Sequence, residues 1–151
     1  MTDVVALAKK LYRSINQQTT RDPIGRDELI DFIKDAIEEL YIISGREAQF
    51  SEDMFDQHEE GEGDEKVLVC TFADDLHTDE KRWVVLDAEI KFYGWVQNSV
   101  DDLYGYQTDA MSVTHADKPY KNIGETIADR KARRNRIWYT MVRHNTVGVA
   151  E

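Results

Sequence analysis

The chain has 151 residues, with 19 Lys and Arg against 30 Asp and Glu and a formal net charge of −11. At 41% hydrophobic and 32% charged residues it can form one domain burying roughly 68–70% of its unfolded-chain surface, which excludes wholesale disorder. No apolar run approaches the ~18 residues of a membrane helix, and the acidic balance disfavours a protein that grips double-stranded DNA.

The N-terminal MTDVVALAKKLY has no basic segment followed by a long apolar one, so no signal peptide is expected. Residues 3–17 place Val4, Leu7, Ala8, Leu11 and Ile15 at helical spacing. Asp22-Pro23 and Gly25 then predict a break. A second helix is predicted over 26–44, with Leu29, Ile33, Ala36, Ile37 and Leu40 as its stripe, widened by Ile30 and Tyr41. Asp27, Glu28 and Asp31 crowd its start and Gly45 follows its end, as the helix dipole and a glycine C-cap require. Residues 46–66 include SEDMFDQHEEGEGDEK, poor in apolar residues, and read as an exposed, mobile acidic insertion. Lys66 to Phe72 (KVLVCTF) is short and rich in β-branched residues, a strand or a buried helical turn. Its Cys70 is the only cysteine, so no internal disulfide can form, which fits a reducing compartment; the residue reads as a small core side chain.

Thr78, followed by Asp79 and Glu80, reads as a helix start with a hydroxyl cap. Beyond it Val85, Ala88, Phe92, Trp95 and Ser99 repeat at helical spacing, with Leu86, Ile90 and Tyr93 on the adjacent face. A rival reading exists, because Leu86, Ala88, Ile90 and Phe92 also alternate with Asp87, Glu89 and Lys91 as in a strand. About 20 residues without a turn signal exceed an ordinary strand, so length favours the helix. Residues 104–117 are expected to be extended or a small hairpin. A last helix is predicted from about 118 to 144, with Asp117 as its cap and Pro119 in its first turn. Its seam reads Tyr120, Ile123, Ile127, Arg130, Arg134, Ile137 and Met141, placing two arginines where apolar residues belong. A buried, unpaired guanidinium is very costly, so those arginines must be solvated or paired with carboxylates. The expected class is mainly α: a small bundle of about four helices with a short extended segment and an acidic insertion, in a single domain over 1–151. The alternative is α+β with a hairpin from residues 67–97.

The charge is uneven along this order. Residues 45–80 carry 2 bases and 13 acids, whereas residues 118–151 carry 8 bases and 3 acids. Such a dipolar chain fits an acidic partner at its basic end, though on charge alone a solvated acidic loop and a solvated basic helix are the favoured reading.

No catalytic, cofactor or metal signature emerges. His58, His77, His115 and His144 form no HExxH and no zinc spacing with Cys70. An EF-hand frame begun at Asp56 puts Gly61 at position 6 but Val67 where a bidentate glutamate is required. Neither GxSxG, a Walker loop nor GxGxxG is present. No enzyme activity, no cofactor and no metal are therefore expected. The run DRKARRNRIWY, Asp129 to Tyr139, combines cations with aromatic residues, the ingredients of nucleic-acid contact or of docking to an acidic protein.

The order of parts then resembles a known family. The helix Asp27–Ser44 is followed by the phrase FADDLHTDE (Phe72 to Glu80), a broad apolar helix with Trp83 and Trp95, and the phrase TDAMSVTHADKP (Thr108 to Pro119). Over about residues 25–143 this resembles the small head-to-tail connector (adaptor) proteins of long-tailed bacteriophages. The acidic insertion departs from that compact pattern. The resemblance implies a structural virion protein, assembled in the host cytoplasm: one subunit of a homo-oligomeric ring, a dodecamer, docked on the portal protein. The ring would extend the DNA channel and receive the next connector or tail-completion protein. DNA would pass without specific binding, and no membrane is involved. The C-terminal segment of such proteins tends to meet the portal, which singles out Arg130, Arg133, Arg134 and Arg136, with Trp138 as an anchor. An acidic 52–65 loop near the lumen or lower rim would repel the duplex and let it slide. The alternative is a non-enzymatic helical adaptor that binds nucleic acid or an acidic protein through the same basic helix.

Overall fold

The structure is a computed structural model that describes residues 1–16, 26–107 and 123–150. In chain order it holds β1 (Thr2–Asp3), α1 (Val4–Asn16), α2 (Arg26–Ile43), β2 (Phe55–Glu60), β3 (Val67–Phe72), α3 (Thr78–Gln107) and α4 (Ile123–Ala150). Short 3-10 turns at Glu47–Gln49, Glu52–Met54 and Gly63–Glu65 flank β2. The class is the mainly α one expected, with a small antiparallel sheet. Contacts divide the chain into two compact units, Met1–Val85 and Leu86–Glu151, and α3 begins in the first and ends in the second.

In the first unit, helix periodicity translates directly into burial. Val4, Leu7, Ala8, Leu11 and Ile15 of α1 are all buried, as are Leu29, Ile30, Ile33, Ala36, Ile37, Leu40 and Tyr41 of α2. The ends of these helices are closed by local chemistry. Asp3 Oδ1 accepts the Ala6 N–H at 3.2 Å, capping α1. At the end of α2, the Gly45 N–H donates to the Ile42 carbonyl at 3.2 Å and the Arg46 N–H to the Tyr41 carbonyl at 2.8 Å. This is a complete Schellman turn, and it needs the left-handed φ of 74° that Gly45 supplies. The predicted break at 22–25 lies outside the described residues.

The sheet is antiparallel in the order β1-β3-β2, with Phe55 opposite Phe72 and Glu60 opposite Val67. Its inner face carries Phe72 and Cys70, both fully buried, and burial pushes the Cys70 thiol pKa up. Tyr41, Phe50, Phe55 and Phe72 form one aromatic cluster, with ring centroids 5.0–6.3 Å apart.

The sheet corrects one expectation and rules out the alternative hairpin. The acidic stretch 46–66 is no featureless loop, because Phe55–Glu60 is a strand paired along its whole length with β3. β1 offers β3 only two residues, so the other edge of the apolar strand is satisfied by FDQHEE despite its poor strand composition. Nor does 67–97 form a hairpin: β3 pairs with β1 and β2, and residues from Thr78 onward are helical.

Helix α3 opens one residue earlier than a Thr78 cap implies, with His77 as the cap. The His77 carbonyl accepts the Lys81 N–H at 2.9 Å, and the Glu80 carboxylate folds back to accept the His77 N–H at 3.2 Å. That is the glutamate arm of a capping box. The buried line of α3 runs through Trp83, Val84, Asp87, Ala88, Phe92 and Tyr93, whereas Trp95, placed in the stripe by sequence, is 49% exposed. Of the segment expected to be extended, Tyr104–Gln107 belong to α3 and 108–117 lie outside the described residues, as do Lys118 and Pro119. Helix α4 continues past 144 to Ala150.

Candidate partner-binding surface

The second unit is organised by the charged residues of α3 and α4. The predicted α4 seam is correct in register: Ile123, Arg130 and Met141 are buried, and Ile127, Arg134 and Ile137 are half-buried. Tyr120 lies outside the described residues. Of the two outcomes open to the seam arginines, pairing with carboxylates is the one adopted. Arg130 Nε donates to Glu89 Oε2 at 2.5 Å, and its Nη1 donates to Asp129 Oδ2 at 2.6 Å. Arg134 Nη1 donates to Asp87 Oδ1 at 2.6 Å. Lys91 Nζ stands 3.0 Å from the second oxygen of Asp87, an ion pair without the angles of a hydrogen bond. Asp87 and Glu89 are only 2% and 3% exposed and Arg130 7%, so these are buried charges.

The order of the pairs carries information. Stepping forward from Asp87 to Glu89 on α3 means stepping back from Arg134 to Arg130 on α4, as between antiparallel helices. Breaking a buried pair strands a charge at a cost of about 3–5 kcal/mol. A slip of one helix by a turn would break both contacts, so the network fixes the register.

Sequence reasoning did not name Asp87 and Glu89 as the arginines' partners. The signal was present: three charged residues, Asp87, Glu89 and Lys91, interrupt the apolar surface of a helix otherwise patterned for burial.

The remaining predicted residues lie elsewhere on α4. Arg133 is exposed and paired with Asp129 at 3.1 Å, Arg136 is exposed, and Trp138 is half-buried. Lys131 and Tyr139 are also exposed, Tyr139 at 71%. The five predicted residues thus divide in two. Arg130 and Arg134 are committed to carboxylates of the fold, while Arg133 and Arg136 point charge outward beside exposed aromatic surface. Such a face suits an anionic partner.

Other titratable groups serve the first unit. The buried Tyr41 hydroxyl donates to Asp74 Oδ2 at 2.5 Å, and burial together with this bond pushes the phenol pKa well up. Arg46 lies over the Tyr41 ring, 4.5 Å from its centroid, and donates to Glu80 at 2.8 Å. On the exposed strand β2, His58 lies between Glu60 at 2.9 Å and Asp56 at 3.3 Å, and those hydrogen bonds raise its pKa. Among the described residues no group of three or more His, Cys, Asp or Glu side chains is placed to hold a metal ion. No described helix is long and apolar enough to cross a membrane. Comparison with family models, with curated proteins and with solved structures finds no match to this chain.

Proposed function

We propose that this chain is a non-catalytic structural subunit of a bacteriophage head-to-tail connector, a ring that docks on the capsid portal. The ring also receives the next connector or tail-completion protein and continues the DNA channel. The reading rests on the sequence resemblance. The observation that supports it best is the division of labour on α4. Two arginines anchor the helix internally through buried carboxylates, and Lys131, Arg133, Arg136 and Tyr139 are left on a firmly held outer face. A docking element needs that combination, because side chains fixed in advance lose less freedom on binding.

The test mixes the chain with the purified portal ring from the same genome and weighs the product by light scattering. The expected product is a discrete particle heavier than the portal by a whole number of chains. Arg133→Glu with Arg136→Glu is expected to abolish it while leaving the thermal unfolding midpoint unchanged, since both residues are exposed. Separate elution of the two proteins at low and moderate salt would instead favour the helical adaptor with a nucleic-acid or acidic-protein partner.

A further inference from the structure

The first unit carries two exposed patches of opposite charge. Residues 52–65, the β2 strand and its flanking turns, hold Glu52, Asp53, Asp56, Glu59, Glu60, Glu62, Asp64 and Glu65, all exposed. The only cationic groups paired with them among the described residues are Lys66, 4.0 Å from Glu59, and the ring of His58. On α1, Lys9, Lys10 and Arg13 are exposed, and the helix contains no acid. Their three- and four-residue spacing lays them along one helix face. None of the three enters an ion pair among the described residues.

The α4 cations differ, since Arg130, Arg133 and Arg134 already have carboxylates of their own helix pair. The α1 stripe is therefore a cluster of three cations open to an acidic partner, besides Lys131 and Arg136 on α4. The hairpin edge is its chemical complement: β2 is the outer strand of the sheet, and its acids keep two such edges from pairing with each other.

We infer that the acidic hairpin of one copy docks on the Lys9–Lys10–Arg13 stripe of the next, so that copies of this chain associate head to tail. The two patches are different surfaces of one compact unit, so the contact is heterologous, and a joined pair of copies still presents one free patch of each kind. Repetition closes a ring where the rotation at each contact returns to the start, and runs on as an open filament where it does not. The inference deepens the connector reading and rests on it for closure.

The experiment is sedimentation velocity of the full chain at low ionic strength, with two charge-reversed variants, Asp56→Lys/Glu59→Lys/Glu60→Lys/Glu62→Lys/Glu65→Lys and Lys9→Glu/Lys10→Glu/Arg13→Glu. Wild-type mass is expected to rise with concentration and to fall back to that of the monomer near 0.5 M salt, where screening reaches about 4 Å. Each variant alone presents like charges at the contact and should associate at least about tenfold more weakly. Mixing the two recreates opposite charges at every junction, so the mixture should recover the wild-type association. Pairing of the patches within one chain would give no such rescue on mixing. Should either variant misfold, the neutral forms Glu59→Gln/Glu60→Gln and Lys10→Gln/Arg13→Gln are expected to weaken association without rescue.

A monomeric wild type at low salt, variants that associate like wild type, or a mixture that stays dissociated each overturn the contact. The portal-mixing experiment fails separately. Rescued association without loading on the portal keeps the contact and removes the connector reading. Loading unaffected by the reversals keeps the connector reading and removes the contact.

Discussion

Arg130 shows how a single charged side chain can organise a pair of helices. At 7% exposure, with carboxylates at 2.5 and 2.6 Å, its guanidinium is sheltered from water and compensated on two sides. Coulomb attraction at such distances does not guarantee net stability, because each ion has given up its hydration. The pair instead penalises its own disruption. Arg130→Met is expected to cost about 3–5 kcal/mol in urea unfolding, by leaving Glu89 charged and buried. Adding Glu89→Leu to that variant should recover most of the loss, since the apolar pair needs no compensation. An Arg130→Met variant as stable as wild type would show that Glu89 is solvated.

At the scale of elements, the helices were legible and the small sheet only in part. Helices α1 and α2 each display one apolar stripe against a polar remainder, so their buried residues follow from spacing alone. In α3 the stripe is blurred because the helix is buried over much of its circumference, and Trp95 could not be told from Phe92 by period. Strand β2 was illegible for a different reason. Its pairing is demanded by β3, a partner seven or more residues away, and local composition carries no trace of that demand. The same division holds at the candidate surface. Two arginines in an apolar seam announce that either water or carboxylates must meet them, yet which carboxylates do so depends on helix pairing that the sequence does not encode locally.

The hairpin turn gives the element-scale prediction. Gly61 has φ of 106°, and a Cβ there would meet the Glu65 carbonyl oxygen at 2.5 Å. Gly61→Ala is therefore expected to cost on the order of 1–3 kcal/mol locally. Amide hydrogen exchange should show β2 and the paired amides of β3 opening faster while α1 and α2 keep their protection. Unchanged exchange in the strands would mean that the turn does not hold the hairpin.

Over the whole molecule, charge is partitioned between the units. The first, residues 1–85, carries 10 bases and 21 acids, and the second, residues 86–151, carries 9 of each. All of the net −11 thus belongs to the unit that holds the acidic hairpin. Beside a DNA channel, as the connector reading has it, such a charge would repel phosphate, and on α4 the exposed cations among the described residues are Lys131, Arg133 and Arg136. Fluorescence anisotropy of a labelled duplex is expected to stay flat into the micromolar range at about 0.15 M salt. If the helix did grip DNA through those residues, neutralising three phosphates would give a log–log salt slope of about −2.7. Arg133→Glu with Arg136→Glu would then remove the binding. A flat titration combined with loading on the portal ring fits a channel that guides DNA without holding it, whereas the sloped titration fits the helical adaptor.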